Sequence, residues 1–185
     1  MIIDRTGSEA MAQAAEVAYE AYPALQSFDI HIRYVDLDTT TMQARPRWDL
    51  LWRTRHRRSY QIRINRFPQF DRDRPIHTLD DSILTGWFAH EMGHLMDYLP
   101  RRRHSILYFA LRYLSSAGYR KKAERVADQF AIQAGLGEYI LHTKTFLLQH
   151  SNLSERYKKR LLKHYLTPEQ TIALIEEETG PLMGE

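Results

Sequence analysis

An α+β fold is predicted by three features of the chain: an amphipathic helical segment near the N-terminus, alternating apolar and polar residues after it, and helical periodicity from residue 80 onward. The first helix runs from Ser8 to Tyr22. Ala10, Met11, Ala14, Ala15, Val17, Ala18 and Ala21 recur along it, and Pro23 stops it. Phe28, Ile30, Ile32 and Tyr34 then alternate with Asp29, His31 and Arg33. Thr40 to Ala44 and Leu50 to Thr54 read as further short strands. Ser59 to Asn65 alternates again, with Tyr60, Ile62 and Ile64 on one face. This pattern predicts a small, mainly antiparallel sheet, with Arg55 to Arg58 at a hairpin tip.

Pro68 and Pro75 make 67–79 a loop. A helix follows to about Tyr98, capped by Asp80 or Asp81 and ended ahead of Pro100. Ser105 to Ser116 is a second helix closed by Gly118, and Lys121 to Ala134 a third closed by Gly135. Glu138 to Gln149, Ser154 to Tyr165 and Pro168 to Glu178 complete the series. Thr167, Pro168 and Gln170 supply the last one with a cap, a proline at the first helical position and a capping-box partner. No repeat or linker divides the chain. It reads as one domain over 1–185, with a helix-and-sheet part at 1–79 and a helical part at 80–185.

The chain has no cysteine, which excludes disulfides, thiolate metal sites and cysteine nucleophiles. Any metal must be held by His, Asp or Glu. With 26 basic and 23 acidic residues, the formal charge of +3 is too weak to demand a nucleic-acid partner. Asp4, Glu9, Glu16 and Glu20 argue against a signal peptide, and no apolar window suits a transmembrane segment. The expectation is a cytoplasmic protein acting on a peptide or protein rather than on nucleic acid.

His90-Glu91-Met92-Gly93-His94 lies inside the helix that ends near Tyr98. Residues four apart share a helix face, so both imidazoles can grip one ion. Glu91 can reach water on that ion without binding the ion itself, and so is the candidate general base. A catalytic zinc needs a third protein ligand. Asp97 lies about two turns from His90, which makes it a poor candidate. Glu124 and Asp128, four apart among Ala123, Val126, Ala127, Phe130, Ala131 and Ile132, are better placed. Two acids on an apolar face would be costly to bury without a cationic partner. Glu124 can be the third ligand, and Asp128 can accept a hydrogen bond from the free ring nitrogen of a ligating histidine. His104, Asp97 and Asp128 are fallback ligands.

With these two motifs the sequence resembles the gluzincin peptidases, of the M48-like and minigluzincin-like kind, over roughly Phe28 to Gly135. The resemblance implies a zincin-like fold and one zinc ion per chain, held by His90, His94 and Glu124. It implies Glu91 as base and Asp128 as a partner of His90. It also implies that Ser59 to Asn65 is an edge strand along which an extended peptide aligns, making Ile62, Arg63 and Ile64 substrate-binding residues. An oxyanion stabiliser is expected among Tyr139, His142, His150 and Tyr157, with His142 preferred. The metzincin pattern is excluded, because Asp97 and Pro100 stand where it needs Gly and His.

Between Arg45 and Arg66 there are eight arginines and one acid, Asp49, read here as the wet face of a small sheet. Arg101 to Arg103, followed by Ile106, Leu107, Tyr108 and Phe109, reads as a buried helix with basic flanks rather than an interfacial one. Glu176 to Glu178 and the 180–185 tail read as surface. The chain is thus expected to be a soluble zinc peptidase. The alternative is a weak or inactive scaffold of the same kind that docks protein or nucleic acid on its arginine-rich sheet.

Overall fold

The computed structural model describes residues 2–3, 8–37, 40–68, 70–149 and 155–179, the side chains of 2, 3, 155–157, 160 and 179 excepted. The fold is α+β. Among the described residues there are four strands, β1 (Ile2–Ile3), β2 (Asp29–Tyr34), β3 (Met42–Pro46) and β4 (Ser59–Ile64). The same residues form seven α-helices, α1 (Glu9–Glu20), α2 (Asp81–Tyr98), α3 (Arg103–Ser115), α4 (Ala117–Gln133), α5 (Gly137–Gln149), α6 (Glu155–His164) and α7 (Pro168–Thr179).

The sheet corrects the expectation of mainly antiparallel pairing. Its order is β1-β2-β4-β3; β1 and β4 both run parallel to β2, and only β3 and β4 are antiparallel. Alternation fixes which face a residue takes, not the direction of the neighbouring strand. The direction comes from the connections: α1 carries the chain back between β1 and β2, which makes that pair parallel. β4 then inserts between β2 and β3 and becomes an interior strand. Two further expectations change. Residues 48–51 form a 3-10 turn instead of a strand, held by Asp49, which accepts from Ser59 N at 3.1 Å and Ser59 Oγ at 2.6 Å. Gly118 does not close α3. Ser116 caps the next helix by accepting from Tyr119 N, and Gly118 falls in that helix's first turn.

The inner face of the sheet presents Ile30, Ile32, Ala44, Tyr60, Ile62 and Ile64, all buried, toward α1 and α2. α1 contributes Met11, Ala14, Ala15 and Ala18 at helical spacing. Just beyond its C-terminus, Tyr22 donates to the carbonyl of Ala89 at 2.8 Å, tying the N-terminal part of the chain to the turn that carries His90. α2 is the central element, and every residue from Ile83 to Leu95 is buried. A helix covered on all sides has no wet face to reveal by periodicity.

Two glycines let the neighbouring helices approach α2 closely. A Cβ at Gly93 would lie 2.2 Å from the carbonyl oxygen of Ala127 in α4, and one at Gly86 would lie 2.1 Å from that of Tyr139 in α5. α4 ends at Gly135, whose φ of 79° and hydrogen bond to Ile132 O form a left-handed cap. α7 begins with the reciprocal capping bonds between Thr167 and Gln170. Among the described residues no helix is long and apolar enough to cross a membrane.

Gly93→Ala and Gly86→Ala are each expected to cost about 2 kcal/mol or more, because a backbone carbonyl cannot step aside as a side chain can. At Gly118 an added Cβ meets nothing within 4 Å, so Gly118→Ala is expected to be neutral or stabilising by about 0.5 kcal/mol. Chemical denaturation of the three variants checks this. Equal loss in all three would refute the close-approach argument.

Candidate metal centre

α2 presents His90 and His94 on one face, and the close contact at Gly93 brings α4 against that face with Glu124 and Asp128 pointing toward the two rings. All four are buried, Glu124 and Asp128 almost completely. His90 Nε2 lies 2.9 Å from Glu124 Oε2, and His94 Nε2 lies 3.4 Å from the same oxygen. The candidate ligand atoms of His90, His94 and Glu124 all lie within 4.8 Å of one another. Ligands about 2.0–2.1 Å from a tetrahedral ion stand about 3.3 Å apart, so this spacing needs little adjustment to hold one.

The tautomer of His90 supports the same assignment. Asp128 Oδ1 is 2.8 Å from His90 Nδ1. A carboxylate there keeps the proton on Nδ1, and Nε2 then aims its lone pair at the Glu124 oxygen. Two acceptors at that separation repel unless a proton or a cation lies between them. In the metal-free protein the proton takes that place. Burial opposes charge on His90, but its hydrogen bonds to Asp128 and Glu124 and the charge of both acids outweigh it, and its pKa is pushed up to about 10. Burial likewise works against ionisation of Glu124, yet His94 and His90 hold it well below the usual carboxylate range. Asp128 is lowered too, against burial, chiefly by Lys144, whose Nζ lies 2.8 Å from Asp128 Oδ2. Glu91 behaves differently: burial raises it, only partly offset by His94 and His90. Its Oε2 accepts from the backbone N–H of Ala44 at 2.5 Å, which fixes the carboxylate between α2 and β3.

A cleft of ≈ 390 Å³ opens over this cluster, walled by β3 and the 48–51 turn on one side and by α3 on the other. A smaller cavity of ≈ 80 Å³ adjoins it and runs toward α5 and α6. Both contain His90, Glu91 and Tyr165.

Several expected residues fall elsewhere. Ile62 and Ile64 are buried on the inner face of β4, and Arg63 is on its outer face, so this interior strand cannot receive a peptide. The edge on the cleft is β3. Arg47 N and Asn65 N bond across to Ser59 O and Thr41 O, so the odd-numbered residues of β3 pair with β4 and Met42, Ala44 and Pro46 turn their backbone outward. His142 is exposed on α5 and lines neither cavity; the inward face of that helix is Ile140, Thr143, Lys144 and Leu147. Of the other oxyanion candidates, Tyr139 lines neither cavity, and His150 and the Tyr157 side chain lie outside the described residues. Of the fallback ligands, Asp97 pairs with Arg101 and His104 is exposed, so neither joins the cluster, while Asp128 joins it as the partner of His90 Nδ1.

Three contributors have no counterpart in the sequence reading. Tyr113 of α3 donates its hydroxyl to Glu124 Oε1. Lys144 neutralises Asp128 from α5. The Tyr165 ring stands 6.0 Å from that of His90. A signal existed for the first two: Ile106, Phe109 and Tyr113 share a stripe on α3, and Lys144 interrupts an apolar stripe on α5, where a lone cation implies a buried partner. No family model, curated protein or solved structure matches the chain.

Asp128→Asn is expected to cost about 3–5 kcal/mol, because it strands a buried ammonium. Adding Lys144→Met should recover a substantial part of that loss. Denaturant unfolding of the metal-free proteins measures the cycle, and additive losses would show that the two groups do not act as a pair.

Proposed function

We propose that this chain is a zinc-dependent metallohydrolase, a peptidase of the gluzincin kind with a zincin-like fold. The observation that carries the reading is the convergence of His90, His94 and Glu124 within 4.8 Å, in a cleft bordered by the outward backbone of β3. The donor set of two imidazoles and one carboxylate suits zinc and leaves a fourth position open. Zinc bound there supplies a Lewis acid and makes water acidic enough to be a nucleophile near neutral pH.

The protein's own groups do the rest. Asp128 holds the His90 ring in the tautomer that turns Nε2 toward the ion. Tyr113 fixes the second oxygen of Glu124 and leaves the first to coordinate. Glu91, oriented by Ala44 N–H and raised by burial, takes a proton from the attacking water and delivers it to the leaving amine. An extended peptide pairs with the backbone of Met42 and the carbonyl of Ala44 along the cleft edge of β3, the Ala44 N–H being taken by Glu91. Tyr165, in place of His142, donates to the oxygen of the attacked carbonyl.

The second reading, a protein that holds metal without cleaving, draws support from the outer face of the sheet. Arg33, Arg45 and Arg63 stand together there; Arg33 donates to Gln61 and Arg63 to Gln43. Burial lowers the pKa of Arg45, and the charges of Arg63 and Arg33 lower it further. None of the three has a carboxylate partner among the described residues.

Elemental analysis is expected to find one zinc per chain, lost in Glu124→Ala and His94→Ala. Glu91→Gln should keep zinc and lose turnover on a peptide library. Tyr165→Phe should lower kcat by about 100-fold with little change in KM. Zinc retained with no hydrolysis by the unaltered protein would favour the binding reading, and no zinc at all would end both.

A further inference from the structure

The lips of the cleft expose apolar side chains to an unusual degree. α3 was expected to be buried, but of its apolar residues only Ile106 and Phe109 are fully buried, with Tyr113 half-buried beside them. Leu107, Leu111 and Leu114 stand 53%, 64% and 75% exposed. Their spacing of four and three residues, with Ala110 between, makes an outward apolar stripe on a helix that also has an inward one. The opposite lip carries Trp48 and Leu51, at 72% and 46% exposure, with Trp52 beside them at 67%. Trp48, Leu51, Leu107 and Leu114 border the same cleft. The two lips are joined at one end, where Arg55 and Arg58 donate to the carbonyls of Pro100 and Arg101. Exposed apolar side chains on both lips of one cleft mark a surface that something covers.

Charge identifies the partner. Residues 45–58 and 98–123 hold 13 of the chain's 26 Lys and Arg residues and one of its 23 acids, Asp49. Of those cations only Arg53 and Arg101 have a carboxylate partner among the described residues. The nearly balanced net charge therefore conceals a concentration of basic residues in the two segments that form the lips of the cleft.

We propose that this face docks on the surface of a bilayer rich in anionic lipids, with the leucine stripe of α3 and the tryptophans of the 48–52 segment at headgroup depth. Guanidinium groups meet lipid phosphates, and indole rings suit the boundary between headgroup and acyl chain. At 13 residues α3 is about 20 Å long, too short for a hydrocarbon core of about 30 Å, so it lies in the interface and does not span it. Single-stranded nucleic acid would satisfy the arginines and stack on the tryptophans, but it gives the leucine stripe no apolar cover. Docking in this orientation turns the mouth of the cleft to the membrane surface. The proposal rests on exposure and charge and does not depend on the metal reading.

Vesicle flotation of the full chain tests it. The protein should float with equimolar phosphatidylcholine–phosphatidylglycerol vesicles and stay in solution with phosphatidylcholine alone. The emission of Trp48 and Trp52 should shift to the blue on binding, while buried Trp87 provides a constant background. Leu111→Glu alters an exposed side chain that lines neither the cleft nor the adjoining cavity, so its thermal midpoint should be unchanged while its vesicle affinity falls by about tenfold or more. Trp48→Ser, tested separately, should weaken binding in the same direction. The proposal is overturned by absence of flotation with anionic vesicles, or by flotation that both variants leave intact. It is also overturned if a single-stranded oligonucleotide binds while vesicles do not, or if Leu111→Glu breaks a dimer of a protein that never floats.

Discussion

The backbone contact between α2 and α4 at Gly93 governs the rest of the structure. A side chain there would collide with the Ala127 carbonyl, so the separation of the two helices depends on a missing methyl group. That separation decides whether Glu124 and Asp128 meet the two imidazoles or stop short of them. A helix displaced outward by the thickness of one Cβ would lengthen the distances from Glu124 and Asp128 to the imidazoles beyond hydrogen-bond range. Gly86 plays the same part toward α5, and it is α5 that delivers Lys144 to Asp128.

The closely packed helices enclose a chain of charges that would be unfavourable individually. Lys144, Asp128, His90, Glu124 and Tyr113 follow one another in contact from α5 through α4 and α2 to α3. Desolvation works against each ion, and each is held by its neighbour's opposite charge or hydrogen bond. The network is complete on both flanks but crowded in the middle, where Glu124 Oε2 faces two ring nitrogens. A buried arrangement with one anionic oxygen against two imidazoles is suited to a small cation. Buried networks of this kind are costly unless every member is satisfied, which gives a reason for a polar cluster inside an otherwise apolar helical core.

The mixed sheet sets the other wall of the cleft. Because β4 fills the interior position, β3 is left at the edge nearest α2, and its outward backbone lies alongside Glu91. An all-antiparallel order with β4 at the edge would have put a different strand beside His90, Glu91 and His94. The basic, apolar rim belongs to the segments that follow β3 and α2, so the outer surface and the site share the same supporting elements.

The sequence by itself determined the local features. It specified the α+β class, most helix limits, the glycine stop of α4 and the capping box of α7. It also carried the pairing of His90 with His94 and of Glu124 with Asp128, because residues four apart on a helix share a face regardless of what packs against it. Tertiary structure decided what no spacing encodes. Alternation at Ile62, Arg63 and Ile64 was real, but whether β4 lay at an edge depended on how the connections wound. His142 and Lys144 are two residues apart on one helix; which of them turned inward was set by the docking of α5 on α2. The exposed stripe of α3 looked like core in the sequence because a leucine's chemistry does not reveal whether a neighbour arrives to cover it. Intrahelical geometry repeats at fixed intervals along the chain, whereas contacts between elements arise only when the backbones approach.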